Sequence, residues 1–224
     1  MKAVILGAGY GSRLRPLTNE KPKPLVEIKG KPILEWQINW LKKHGIKEIV
    51  ITTGYKREMI MEWVAQNQER LNVNILLKTE ERPISTGGEL HGLSEFLTED
   101  FLVVNGDIMT NLNPNKLVTM SIALVPLKSP YGIVNFKGEK DIVEITTFLE
   151  KPLIESTWIN AGVYRFSPEV FEFIQRDKDL ERYTFPELAK RQKLKGVLFK
   201  DVIWRSIDTF KDLDEAEKEM DKLE

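Results

Sequence analysis

The sequence predicts an α/β protein with a Rossmann-like, doubly wound, mixed sheet, built as one domain over residues 1–224. Short apolar runs rich in β-branched residues alternate with segments of helical periodicity, which indicates strands joined by crossover helices. The first apolar run opens into glycines, which let the backbone turn tightly or approach another group closely. The chain shows no internal repeat, linker or low-complexity stretch, so we predict a single domain.

The first half of the chain alternates strands and helices. Residues 3–6 form an apolar run that predicts the first strand. Pro32 and Gly45 bracket the first long helix, because proline suits the first turn of a helix and glycine commonly follows the last. We predict further strands at 47–53, 73–77 and 101–105, and a helix at 56–69 whose inward face carries Met59, Ile60, Trp63 and Val64.

The second half of the chain changes character. Three segments predict strands joined by short turns, at 119–126, 132–136 and 141–149. We expect this small β insert to extend the sheet. A strand at 158–166 follows, and the chain ends in an amphipathic helix with Leu213, Ala216, Met220 and Leu223 on one face.

The composition excludes several classes of protein. The chain has no cysteine, so it forms neither a disulfide nor a thiolate metal site. No apolar run approaches the ~20 residues of a membrane span, and the first strand is too short for a signal peptide, so we expect a cytoplasmic protein. The net charge of −1 predicts neither a nucleic acid nor a membrane as partner. A charged fraction of 30% without cysteine points to a thermophilic source.

The most informative segment is the glycine-rich turn after the first strand. It contains Gly7, Gly9 and Gly11, and the cations Arg13 and Lys23 follow. Glycines let backbone N–H groups approach a phosphate closely, and positive side chains neutralise its oxygens. The segment therefore indicates a nucleoside triphosphate site. A purely structural glycine turn is the alternative that the glycines alone leave open.

Two common glycine motifs do not match this segment. The P-loop needs a Gly-Lys-Ser/Thr after its first glycine, and the chain has no such run. The dinucleotide fingerprint needs a third glycine where Ser12 stands. It also needs an acidic residue after the second strand, which runs instead into Thr53 and Gly54. An NAD-binding oxidoreductase is therefore disfavoured.

The stretch GAGYGSRLRPLTNEKPKPL, at residues 7–25, resembles the signature of the sugar-1-phosphate nucleotidyltransferases. Further motifs of that family match along the chain at Thr86-Gly87-Gly88, Asn105-Gly106-Asp107, Glu150-Lys151-Pro152 and Asn160-Ala161-Gly162. The resemblance implies the nucleotide-diphospho-sugar transferase fold, in a short form without the C-terminal β-helix of some relatives. It also implies transfer of a nucleoside monophosphate to a sugar-1-phosphate, with Mg²⁺ as cofactor.

The resemblance assigns roles in the nucleotide half of the site. Arg13 would hold the β- and γ-phosphates, and Lys23 would lie near the α-phosphate. The nucleotide is expected on Leu6, Gly7, Ala8, Gly9, Gly11, Ser12, Glu80, Thr86, Gly87 and Gly88. Glu80 offers only acceptors, which match the N–H donors of guanine, so GTP is favoured. Relatives that use UTP or dTTP often have glutamine near this position, and a solvated acidic loop fits Glu80 equally well.

A metal site is expected after the strand at 101–105. Asp107 follows a buried run and a turn, where a carboxylate can hold Mg²⁺ together with substrate phosphates. Shaping that turn is the alternative role. The second metal-binding aspartate of the family falls here at Ser206, and we expect Asp208 to replace it. Alternatively, Asp208 only caps the next helix, which would leave a weak metal site or an inactive relative.

The acceptor half of the site follows from the remaining motifs. The resemblance places the sugar phosphate at Glu150, Lys151 and Asn160, near the β insert, whereas Tyr164 is expected in the core. An oxygen of the sugar phosphate would attack the α-phosphorus while pyrophosphate leaves in line, with Arg13, Lys23 and Asp107 as the catalytic groups.

Several alternatives stay open at this point. They are dTTP- or UTP-dependent transfer to a hexose-1-phosphate, CTP-dependent transfer to a phospho-alcohol, and a non-catalytic subunit that binds a nucleotide-sugar. The apolar positions that look exposed would allow a homodimer.

Overall fold

The computed structural model describes residues 1–81 and 84–219. The strands of the first half are β1 (Lys2–Gly7), β2 (Glu27–Ile28), β3 (Lys31–Pro32), β4 (Glu48–Thr53), β5 (Asn74–Thr79), β6 (Phe101–Asn105) and β7 (Ile108–Thr110). Those of the second half are β8 (Ser121–Lys128), β9 (Ile133–Lys137), β10 (Glu144–Leu149), β11 (Leu153–Phe166), β12 (Lys195–Leu198) and β13 (Trp204–Ser206). The α-helices are α1 (Leu17–Glu20), α2 (Ile33–Lys43), α3 (Arg57–Leu71), α4 (Thr86–His91), α5 (Phe185–Lys190) and α6 (Phe210–Glu219).

Seven strands form the central sheet, in the spatial order β12-β8-β11-β6-β1-β4-β5. Neighbouring strands are parallel except where β11 runs against both β6 and β8. The mixed, doubly wound α/β fold predicted from the sequence is therefore confirmed. Because β1, β4 and β6 are parallel neighbours, their carboxyl ends open on the same edge of the sheet.

Strand β1 separates the two main cores of the molecule. Ala3 and Ile5 pack with residues of α2 and α3, whereas Val4 and Leu6 pack on the opposite face with residues of α4 and α5. A strand covered on both faces has an uninterrupted apolar sequence, which is why residues 3–6 predict a strand without alternation.

The helix faces follow the sequence pattern with one exception. In α3, Ile60 and Val64 are buried, but Met59 is 37% exposed, because the packed face of this helix is narrower than its sequence suggests. In α6, Leu213 and Ala216 are buried in a third, smaller core. Met220 and Leu223, predicted on the same face, lie outside the described residues. Of the described helices, none has the length and hydropathy needed to cross a membrane.

Of the three strands predicted in the β insert, the first extends the central sheet as expected, whereas the other two form a separate ribbon. β8 belongs to the central sheet, while β9 and β10 pair with each other in antiparallel register. All six residues of β10 are exposed, so the ribbon has no core of its own within the described residues.

Gly106 sets the spacing between β1 and the turn after β6. Its N–H donates to the carbonyl oxygen of Leu6 over 2.9 Å. A Cβ at this position would lie 2.4 Å from that same oxygen, which no side chain tolerates without a backbone shift. The approach of Gly106 to Leu6 therefore requires glycine.

Gly106→Ala should lower the free energy of unfolding by roughly 1–3 kcal/mol, because overpacking against a buried strand forces its backbone to move. Urea denaturation followed by circular dichroism measures this change. Gly9→Ala is the matched control, since a Cβ there meets no described atom within 4 Å. Equal denaturation midpoints for the two variants would contradict the prediction.

Candidate functional site

A cleft of about 250 Å³ opens beside the carboxyl ends of β1 and β6 and the start of α4. This is the edge at which open α/β sheets bind ligands. Its lining includes most of the residues expected on the nucleotide and the metal: Leu6, Gly7, Gly9, Gly11, Ser12, Arg13, Lys23, Thr86, Asp107 and Asp208. The fold thus brings the N-terminal motif together with two aspartates that are distant in sequence.

The glycine-rich turn packs tightly against the residues that follow it. Gly11 has a φ of 61°, in the left-handed region that favours glycine. A Cβ on Gly11 would lie 3.0 Å from side-chain carbons of both Lys23 and Thr18. The Thr18 hydroxyl donates to the Gly11 carbonyl over 2.9 Å. The turn and the Lys23 segment therefore hold each other in place.

The Lys23 ammonium group lies between two carboxylates. Its Nζ is 2.9 Å from Oδ2 of Asp107 and 2.9 Å from Oδ1 of Asp208. Nη2 of Arg13 is also 2.9 Å from Oδ1 of Asp208. Lys23 stands between Pro22 and Pro24, which restrict φ on both sides of it. Two cations and two acids thus converge on one point of the cleft.

Helix α6 is capped without Asp208. The Thr209 hydroxyl accepts the N–H of Asp212 over 3.3 Å, and Oδ2 of Asp212 accepts the N–H of Thr209 over 2.7 Å. This reciprocal pair is a capping box. The carboxylate of Asp208 points instead to Lys23 and Arg13, so the alternative that Asp208 only caps the helix does not hold.

The environment of Asp208 favours its ionised form. Burial by itself would raise the pKa of this carboxyl. The hydrogen bond and charge of Lys23, the hydroxyl of Ser206 and the charge of Arg13 outweigh burial and hold the pKa below its usual value. Ser206 donates to Oδ2 of Asp208 over 3.0 Å. Ser206 therefore supports the aspartate two residues further on.

Asp107 and Asp208 suit a magnesium site that substrate completes. Within residues 1–81 and 84–219, no group of three or more His, Cys, Asp or Glu side chains could hold a metal ion. Mg²⁺ commonly uses one or two carboxylates and takes its other ligands from water and substrate phosphates. The two aspartates already enclose a cation, the Lys23 ammonium group, so the donor set fits the ion.

Gln37 holds the Asp107 turn, although the sequence analysis does not single it out as a site residue. Its side-chain amide donates to the carbonyl oxygens of Asn105 and Ile108, both over 2.9 Å. The turn containing Asp107 lies between these two acceptors. A polar residue on the apolar face of α2 is the only sequence signal of this role.

Glu89 is a second residue that the sequence analysis missed. It lines the cleft, and its Oε2 accepts the N–H of Ala8 over 3.2 Å. Ala8, which was expected on the nucleotide, is fully buried and does not line the cleft. An acid directly after Thr86-Gly87-Gly88 is the signal that could have revealed Glu89.

Three other residues expected on the nucleotide also lie outside the cleft. The N–H of Gly87 donates to the carbonyl of Lys178 over 3.1 Å, and that of Gly88 donates to the Ser85 hydroxyl over 3.2 Å. Both N–H groups therefore already have acceptors within the protein. Glu80 forms an ion pair with Lys78 and lines a different cavity, of about 340 Å³.

The residues expected on the acceptor are only partly brought together. A second cavity of about 830 Å³ shares Arg13 and Asp208 with the cleft and is also lined by Lys151. Glu150 is exposed and lies 3.3 Å from the Lys151 ammonium group. Glu150 therefore flanks this cavity without lining it.

Asn160 lies outside both cavities. Its amide nitrogen donates to the Tyr164 hydroxyl over 3.0 Å, and its oxygen accepts the N–H of Gly162 over 2.9 Å. Tyr164 is fully buried, as expected, and burial raises the pKa of its phenol. The side chain of Asn160 thus forms its hydrogen bonds within β11 in this structure.

Comparison with known proteins gives consistent matches. The family model described as nucleotidyl transferase matches residues 2–222. The mannose-1-phosphate guanylyltransferase catalytic subunit beta of Xenopus tropicalis is 36% identical over an alignment of 209 residues, and the match covers 87% of this chain and 58% of that protein. The mannose-1-phosphate guanyltransferase of Yarrowia lipolytica is also 36% identical over 209 residues, covering 87% of this chain and 57% of that protein. The chain thus spans little more than half the length of these curated relatives.

A solved structure confirms the fold. HddC from Yersinia pseudotuberculosis superimposes with a TM-score of 0.75 at 24% identity, and the match covers 98% of this chain and 99% of that one. At this level of identity the likeness concerns the architecture of the sheet and its helices.

Proposed function

We propose, since this chain belongs to the nucleotidyl transferase family, that it transfers a nucleoside monophosphate from a nucleoside triphosphate to a sugar-1-phosphate and releases pyrophosphate. One observation supports this most directly: Arg13 and Asp208 line both the cleft and the larger cavity. Lys23 and Asp107 lie at the same junction. A reaction between two anionic substrates needs such a junction, with positive side chains between them.

The two cavities suit the two substrates. The triphosphate would lie in the cleft against Gly7, Gly9, Gly11 and Ser12, where the absence of side chains on the glycines allows close approach to the backbone. The sugar phosphate would occupy the larger cavity, where Lys151 supplies a positive charge. The reacting groups then meet at the shared wall.

The reaction requires positioning and charge stabilisation and uses no protein nucleophile. The attacking oxygen of the sugar phosphate forms a bond to the α-phosphorus, and the bond to pyrophosphate breaks. Arg13 would hold the β- and γ-phosphates, and Lys23 would offset the repulsion between the two substrates at the α-phosphate. Asp107 and Asp208 would hold Mg²⁺, whose charge neutralises phosphate oxygens when it is bound.

The preferred substrates are proposed from the relatives. Both curated relatives carry the name of mannose-1-phosphate guanylyltransferases, which favours GTP and mannose-1-phosphate. Glu80, expected to recognise guanine, faces a different cavity from the cleft, so it gives no support for GTP. A cytoplasmic location and a thermophilic source stay predictions from the composition.

The test is a panel that measures pyrophosphate release with Mg²⁺. GTP, ATP, CTP, UTP and dTTP are each combined with mannose-1-phosphate, glucose-1-phosphate and a phospho-alcohol such as phosphocholine. We expect GTP with mannose-1-phosphate to react fastest. Faster reaction with UTP, dTTP or CTP would favour the corresponding alternative, and tight nucleotide binding without turnover would identify a non-catalytic subunit. The proposal would be refuted if no combination of triphosphate and acceptor gave either binding or turnover.

Lys23→Ala should lower turnover by about 10²–10³-fold, because a preorganised charge next to the reacting phosphorus is lost. Pyrophosphate release measures the effect, and circular dichroism shows whether the fold is retained. Lys21→Ala is the matched control, since Lys21 lies two residues away in an ion pair with Glu27 at 2.9 Å, apart from the cleft lining. Near-normal turnover of the Lys23 variant would remove this residue from the mechanism.

We also propose a homodimer through one face of the β9–β10 ribbon. Phe136 is opposite Ile145 and Val134 is opposite Phe148 in the register, so these four exposed apolar side chains share a face. Exposed apolar patches commonly mark interaction surfaces. Light scattering should give twice the monomer mass, and Phe136→Ser with Phe148→Ser should halve it. A monomeric wild type would disprove the proposal.

A further inference from the structure

A buried carboxyl lies beside the glycine-rich turn and takes no part in the reaction proposed above. Glu89 lines the cleft with only 4% of its surface exposed. Its Oε2 accepts the N–H of Ala8 over 3.2 Å and forms a short contact with the hydroxyl of Thr52. Glu89 therefore ties the turn after β1 both to α4, on which it lies, and to β4, which carries Thr52.

The hydrogens around Thr52 favour a protonated Glu89. The Thr52 hydroxyl accepts the N–H of Gly7 over 3.1 Å and lies 3.2 Å from the carbonyl oxygen of Ile5, to which it can donate. A hydroxyl has one hydrogen, so it cannot donate to Ile5 and to Glu89 at once. If Glu89 is neutral, its own O–H donates to Thr52 and every contact has one hydrogen. If Glu89 is ionised, the Thr52 hydroxyl can donate to Glu89 or to Ile5 but not to both, so one of these two contacts has no hydrogen.

Burial acts in the same direction as this count of hydrogens. Burial, together with the charge of Glu80, raises the pKa of Glu89 to about 7, and the contacts with Thr52 and Ala8 and the charge of Lys78 act in the opposite direction. Lys78 and Glu80 lie on or just after β5 and pair with each other. The charged groups that share the cleft with Glu89 are Arg13, Lys23, Asp107 and Asp208.

We propose that Glu89 is a positioning residue that holds the glycine-rich turn in its triphosphate-binding shape while its carboxyl is protonated. Ionisation would place a buried negative charge beside the site of an anionic ligand and would leave the contacts around Thr52 one hydrogen short. Binding of the triphosphate is then coupled to the proton on Glu89. This inference rests on the proposed function, since it concerns how the same cleft binds its nucleotide.

The test compares wild type with Glu89→Gln, an isostere that stays neutral at every pH and whose amide oxygen can accept the N–H of Ala8. Calorimetry measures GTP binding at pH 6, 7, 8 and 9 at fixed free Mg²⁺, or binding of the triphosphate that the panel selects. The affinity of wild type should fall by up to about tenfold per pH unit above pH 7 relative to Glu89→Gln. Taking the ratio of the two proteins cancels the titration of the nucleotide itself.

Two further variants separate positioning from simple packing. Glu89→Ala removes the contacts to Ala8 and Thr52, so it should bind GTP more weakly than Glu89→Gln at every pH. Glu95→Gln is the control, because Glu95 is exposed on the segment that follows α4 and lies outside the cleft lining. It should keep the pH dependence of wild type. Equal pH dependence in wild type and Glu89→Gln would overturn the inference.

Unfolding measurements distinguish failure of this inference from failure of the proposed function. The native state keeps on Glu89 a proton that the unfolded chain releases above the ordinary pKa of 4.5. The stability of wild type relative to Glu89→Gln should therefore fall as the pH rises from about 4.5 to about 7 and then level off. Urea denaturation shows this without any ligand.

Two outcomes of the binding and unfolding measurements separate failure of the inference from failure of the proposed function. A fall in relative stability, with no triphosphate bound by either protein at any pH, refutes the proposed function and with it the positioning role. Binding by both proteins without the fall in relative stability overturns the inference about Glu89 and leaves the proposed function intact.

Discussion

Three segments that are far apart in the chain meet at the ammonium group of Lys23. Asp107 follows β6 and Asp208 follows β13, and their carboxylates would repel each other without a cation between them. The backbone supports the same arrangement, since the N–H of Ile207 donates to the carbonyl of Asp107 over 2.9 Å. The C-terminal part of the chain is thereby held against the end of β6, and the wall shared by the two cavities depends on this contact.

The turn that carries Asp107 is fixed from two sides. On one side Gly106 lies against the backbone of β1, at a distance that excludes any side chain. On the other side the amide of Gln37 bonds to the carbonyls that flank the turn. Since neither contact involves the carboxylate, Asp107 keeps its oxygens for a cation. The position of Asp107 is therefore fixed by one side chain of α2 and by a close backbone contact with β1.

The sequence predicted what depends on local pattern. Apolar periodicity, turn chemistry and the family resemblance predicted every strand of the central sheet except β12, the long helices, the glycine-rich turn and the placement of Asp107 and Asp208 in one cleft. It did not predict which polar groups form hydrogen bonds with residues that are distant in the chain. Gly87 donates to Lys178, which is remote in the chain, and Ala8 donates to Glu89; no local pattern contains such partners. The role of Asp208 stayed open in the sequence for a related reason. Only the structure shows that its neighbour Thr209 caps α6, which leaves the carboxylate of Asp208 for the cleft.

The ion pair between Arg13 and Asp208 has a consequence for how two ligands bind together. Both residues line both cavities, so a ligand in either cavity that recruits one of them must separate the pair. The second ligand then meets groups that are already separated and does not bear that cost again. Such a shared contact makes the two binding equilibria cooperative, and by thermodynamic reciprocity each ligand raises the affinity for the other by the same factor. The pair thus favours a complex with a ligand in each cavity over complexes with a ligand in only one of them.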